Sequence, residues 1–192
     1  MTASAASAAE ALPAAVRQDL RRSIAFHDRA IERLVRQAVQ LLSTDPTLRR
    51  RFRHLDTIPG VARARAVAIL AELALLSPDL DVRQCVAAAG IDPSEHSSGS
   101  SVHKKTRIRK AGNRHLRRAL FLPALVAVQH DPYLRAFYEL LVARGKAPMQ
   151  ALVAVLRKLL HATFGMFHHD QPYDGSQLFP QLAPATARAS PT

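Results

Sequence analysis

From about Leu12 to Leu42 the chain carries no glycine and, after Pro13, no proline. Within this stretch Leu20, Ile24, His27, Ile31, Leu34, Ala38 and Leu41 recur in alternating steps of four and three residues. Such steps return side chains to one edge of an α-helix, so the pattern predicts a long helix with a narrow apolar seam. His27 is the polar member of the seam and Ala38 the small one. Two uses fit: the helix packs on its own domain, or it is a coiled-coil arm that pairs with another chain as a homo-oligomer.

The remaining punctuation also selects helices. Ser43–Pro46 reads as a turn and N-cap before a short basic helix, TLRRRFRHL. Ile58-Pro59-Gly60 makes a sharp turn ahead of an Ala-rich helix from about Val61 to Leu76, stopped at Ser77-Pro78-Asp79. A helix from about Asp81 to Ala89 closes on Gly90, a natural residue just past a helix end. Residues 92–112 have no helical period and read as an irregular loop with a short extended stretch within Ser101–Ile108. Asn113 starts a helix that Pro123 is expected to kink. Asp131-Pro132 caps the next, ended by Gly145, and Pro148 opens the last, to about His168. With no Trp, 5% aromatics and seven Gly, a β-sandwich or barrel is excluded. The expectation is an all-α protein: residues 1–11 disordered, a helical arm at 12–56, a compact helical domain at 57–170 and a flexible tail at 171–192.

Lys and Arg number 27 against 15 Asp and Glu, a formal net charge of +12. A soluble protein this basic calls for a polyanionic partner, most often nucleic acid. The single cysteine, Cys85, excludes a disulfide framework and a cysteine-rich zinc site. Its surroundings, VRQCVAAAG, suit a buried, inert thiol. The longest uncharged apolar run, Ala119–Val128, is too short to span a bilayer. The N-terminus lacks the basic and apolar regions of an export signal. A cytoplasmic protein with no membrane partner is expected.

Lys104, Lys105, Arg107, Arg109, Lys110, Arg114, Arg117 and Arg118 crowd one segment, and no Asp or Glu lies between Glu95 and Asp131. Solvated faces normally mix both signs, so this cluster predicts phosphate contact. On a helix Arg114, Arg117 and Arg118 share one face, and Gly112-Asn113 would turn backbone N–H groups at the helix start toward a phosphate. Leu55–Val61 with the following helix reads either as half of a helix-hairpin-helix, touching DNA phosphates through the backbone at Pro59 and Gly60, or as a plain packing corner. Ala62 stands where the second glycine of such a hairpin is usual. The run Ser97-Ser98-Gly99-Ser100-Ser101 reads as a polar loop or as a serine nucleophile beside cations that stabilise a phosphodiester transition state. The nine His form no metal-ligand set.

Taken in order, IPGVARARAVAILAEL, Gly90-Ile91-Asp92-Pro93 before a Ser-Gly pair, RIRKAGNRHLRRAL, the His130-Asp131-Pro132 turn and Arg144-Gly145-Lys146 before the last helix resemble the C-terminal transposase domain of the insertion sequence 110 family, the Piv/MooV class of DNA recombinases. The resemblance runs from Ile58 to about Tyr173, and residues 12–56 look like the family's preceding coiled-coil region. It implies a DNA recombinase that uses a serine of the Ser-Gly pair, here Ser98, for strand cleavage and exchange in transposition. It further implies DNA and a structured guide RNA as partners, and a RuvC-like domain that supplies divalent metal, with no cofactor in this chain. The chain begins at the helical arm, so a truncated or separately encoded piece, inactive alone, is expected. The alternative is a non-catalytic nucleic-acid-binding remnant or regulator of a full-length transposase. Arg109 and Ala111 stand where the family has Ser and Arg, and Pro123 interrupts a normally smooth helix.

Overall fold

The computed structural model describes residues 13–77, 79–94, 107–108 and 112–179. The chain forms two compact units, residues 1–41 and 42–192. The first is essentially one helix, α1 (Ala14–Leu42), which has no buried residue. Its seam residues Leu20, Ile24, Ile31 and Leu34 are 49%, 60%, 53% and 60% exposed.

In the second unit each helix begins where a local signal places it. Asp45 caps α2 (Pro46–Asp56) by accepting from the N–H groups of Thr47 and Leu48, with Pro46 in the first turn. The chain then turns through Ile58-Pro59-Gly60-Val61, closed by the Val61 N–H on the Ile58 carbonyl, with Gly60 at φ 86°. This is a type II turn, whose third position requires positive φ. Helix α3 (Arg63–Ala74) follows. A reciprocal pair between Asp81 and Gln84 opens α4 (Val82–Ala88). A two-residue antiparallel pairing joins β1 (Pro93–Ser94) to β2 (Arg107–Ile108). Asn113 and Asp131 cap α5 (Arg114–His130) and α6 (Pro132–Ala143). Helix α7 (Pro148–His169) ends at Asp170 in the left-handed region, and α8 (Gly175–Leu178) is a single turn. Apart from the short β pairing, the described residues are all-α.

Helix α7 is the core element. Leu152, Val155, Leu156, Leu159, Leu160 and Met166 are buried against α5, α6, α4 and α2. Thr163, also buried, donates its hydroxyl to the Leu159 carbonyl. Helix α5 packs on α3, α6 and α7 and buries Leu116, Leu120, Ala124 and Ala127.

Two features differ from the sequence expectation. Helix α2, grouped above with the arm, packs on α3 and α7 through Phe52 and Leu55 and belongs to the second unit. Residues 171–179, placed above in a flexible tail, are docked, with Phe179 buried and stacked on Phe137 at 4.4 Å. Helix α5 continues through Pro123 to His130; the proline is buried, and its carbonyl lies beside Gly60. No helix among the described residues is long and apolar enough to cross a membrane.

Candidate nucleic-acid interface

The start of α5 is tied to two other helices. Asn113 accepts from the His115 and Leu116 N–H groups through Oδ1 and donates through Nδ2 to Glu72 of α3 at 2.7 Å. Its own N–H goes to the Ala88 carbonyl at 2.7 Å. Gly112, at φ 143°, passes so close to the end of α4 that a Cβ would lie 2.7 Å from both the Ala88 carbonyl oxygen and the Gly90 nitrogen. This backbone conformation and this space admit only glycine. Arg117 donates to the Ala89 carbonyl at 2.7 Å, neutralising the carbonyl end of α4.

These bonds change the reading of the predicted site. The N–H groups of Asn113, His115 and Leu116 are spent within the protein and are not free for the anion expected at Gly112-Asn113; both residues build the corner. Arg117 is half-buried and fastens α4 rather than standing with its neighbours. Arg114 and Arg118 are exposed on the outward face. Past them the same face carries Phe121, Leu122 and Leu125, which are 36%, 44% and 40% exposed. Gly60 is explained by packing as well: a Cβ there would meet Val126 Cβ at 2.6 Å, with Ile58 and Val61 buried on either side. Pro59 occupies the turn, half-buried.

Residues 52–139, from within α2 to within α6, match the family model described as the IS116/IS110/IS902 transposase family. The pilin gene-inverting protein of Moraxella bovis is 32% identical over 146 residues, 76% of this chain and 45% of that protein. An insertion element IS110 protein of Streptomyces coelicolor is 32% identical over 120 residues, 62% of this chain and 29% of that protein. The chain belongs to this transposase family. It spans less than half the length of these relatives.

The transposase domain has a second polar corner at Asp131, which the sequence reading took as the cap of the next helix and nothing more. Asp131 is 4% exposed, caps α6 through Oδ1 on the Tyr133 and Leu134 N–H groups, and accepts the Tyr173 hydroxyl on Oδ2 at 2.8 Å. Burial and the neighbouring Asp131 carboxylate push the Tyr173 phenol well above its ordinary range. The Tyr173 N–H in turn reaches Thr57 Oγ1. Nearby, Asp170 accepts from His54 Nε2 at 2.9 Å and Arg50 at 3.2 Å. The His54 bond, with help from Arg50, holds the Asp170 carboxyl below the usual range. These contacts fasten the end of α7 and the segment after it to α2 and α6; they are structural, and a lone Tyr and Asp in sequence give no sign of them.

Ser98, the other serines of 97–101, Lys104, Lys105, Arg109 and Lys110 lie outside the described residues. Arg107 is described only as backbone, paired with Ser94. Among the described residues no group of three or more His, Cys, Asp or Glu could hold a metal ion. Cys85 is fully buried, and desolvation pushes its thiol up to about 11, a non-nucleophilic environment.

Proposed function

We propose that this transposase-family domain binds DNA backbone through Arg114 and Arg118 at the α5 corner, and that Ser98 in the adjoining segment is the nucleophile for strand cleavage and exchange. The observation that carries the reading is the corner itself. Two exposed arginines project from a helix start that is hydrogen-bonded to α3 and α4, so their backbone is held in place before any partner arrives. Preorganised guanidinium groups give both phosphate affinity and transition-state stabilisation. In sequence, Lys104, Lys105, Arg107, Arg109 and Lys110 precede them and add cations of the same sign. The name of the Moraxella relative, a gene-inverting protein, agrees with cleavage and rejoining of DNA. The same cations suit the phosphates of a structured guide RNA. The exposed α1 seam suits pairing of two copies.

Replacing Arg114 and Arg118 with Glu is expected to weaken binding to unrelated duplexes equally and to lower the salt dependence, by about 0.9 in log–log slope per lost phosphate contact. Binding and slope that stay unchanged would refute the interface. For the nucleophile, Ser98→Ala is expected to abolish a covalent protein–DNA product while leaving DNA binding intact, in an assay that supplies the acidic metal-binding domain. A product that persists in Ser98→Ala but disappears in Ser100→Ala moves the assignment. Loss in none of the serine variants leaves a non-catalytic DNA-binding module.

A further inference from the structure

Helix α2 presents a second cationic surface, separate from the α5 corner. Its inward face is Leu48, Phe52 and Leu55; its outward half carries Arg49, Arg50, Arg51 and Arg53, all exposed. At 100° per residue the four arginines fan around most of the side that faces away from the core. The carboxylates near them offset only part of this charge. Asp45 is spent on capping α2. Among the described residues Asp56, at the last position, forms no ion pair within 4 Å, and Asp170 pairs with Arg50 and His54 while also lying in the field of Arg53. Arg51 lies over the Phe167 ring, 5.1 Å from its centroid, which fixes that guanidinium at the surface.

We infer that this face of α2 binds the backbone of a second DNA duplex, so that one protomer holds two DNA segments at once. The inference takes its partner, DNA, from the recombinase reading above; the surface itself does not depend on the α5 corner. Four arginines within five residues span about 6 Å of helix axis, and a duplex presents one phosphate charge per roughly 1.7 Å, so several phosphates face the fan together. The surface fits a duplex rather than a single strand. Single-strand sites stack bases on open aromatic rings, and the phenyl ring beside α2 among the described residues, Phe167, is already covered by Arg51. Helix α2 packs on α3 and α7, leaving α5 free to engage its own partner. Strand exchange needs two duplexes held side by side, and two cationic faces on one compact unit meet that need without a sequence-reading contact on α2.

The test is a count of short, unrelated duplexes bound per protomer of the full chain, by native mass spectrometry at low salt, for wild type, Arg49→Gln/Arg53→Gln and Arg114→Glu/Arg118→Glu. Glutamine keeps helix propensity and leaves the Arg50–Asp170 pair and the Arg51–Phe167 contact in place; unchanged circular dichroism confirms the fold. The expected result is two duplexes for wild type and one for each double variant. One duplex for wild type, or two retained in Arg49→Gln/Arg53→Gln, overturns the α2 proposal. Two retained in Arg114→Glu/Arg118→Glu, with one lost in Arg49→Gln/Arg53→Gln, instead overturns the α5 interface and leaves the α2 site standing.

Discussion

Gly112 and Arg117 make the α5 corner, and each predicts a measurable loss. In Gly112→Ala the new Cβ would press on the backbone of α4 at 2.7 Å with φ at 143°. Neither neighbour is a flexible side chain that can yield, so urea unfolding is expected to show a loss of about 2–3 kcal/mol. Arg117→Gln removes a charged donor from the Ala89 carbonyl and should cost about 1–2 kcal/mol. Arg114→Gln and Arg118→Gln, on the exposed side, should be near neutral for stability, as surface changes usually are. Equal destabilisation by all three arginine substitutions would contradict the division of roles. His161 supplies a different residue-scale signature. Its Nε2 is buried with no hydrogen-bond partner among the described residues. Desolvation first, then Arg157, Lys158 and Arg83, depress its protonation below the ordinary 6.5. The unfolded chain therefore takes up the proton more readily than the folded one, and stability falls as pH drops below about 6.5. His161→Leu should flatten the decline between pH 7 and pH 5.5; a decline of unchanged size in that variant would remove His161 as its cause.

At the scale of elements, α1 and the segment 170–179 behave in opposite ways. Helix α1 leaves Ile24 and Leu34 each 60% exposed, and burying a full apolar side chain is worth about 1.5–3 kcal/mol. Seam pairing with a second copy would recover part of that at each large apolar seam position. Ile24→Glu/Leu34→Glu is expected to turn a dimer into a monomer on sedimentation, with the helix content of residues 42–192 retained. A wild-type monomer at micromolar concentration would end the pairing idea. The segment after α7 gains its order from contacts with earlier helices. Tyr173→Phe leaves Asp131 its two backbone donors but removes the phenol at 2.8 Å, and should cost about 1–2 kcal/mol. Lys158 lies 4.9 Å from the Phe179 ring centroid, which fastens the far end of the same segment to α7.

Over the whole molecule, charge and local helix signals were legible in the sequence, whereas the partners of the polar side chains were not. The residues Asp45, Asp81, Asn113 and Asp131, each just before a helix, and Gly90 and Gly145, just after one, mark helix ends through contacts within a few residues. A net charge of +12 and an arginine cluster are properties of composition and order. These settled the all-α class, most helix boundaries and the expectation of a polyanionic partner. Tertiary structure alone decided which cations remain available and which glycines are structural. Arg117 meets a carbonyl 28 residues away, Asn113 a carboxylate 41 away, Tyr173 a carboxylate 42 away and Asp170 a histidine 116 away. No period of two, three or four residues encodes such pairings, because they arise when packed helices bring distant backbone and side chains to the same corner. For the same reason TLRRRFRHL reads in sequence as part of the arm, and only the burial of Phe52 and Leu55 against α3 and α7 places its arginines on the transposase domain.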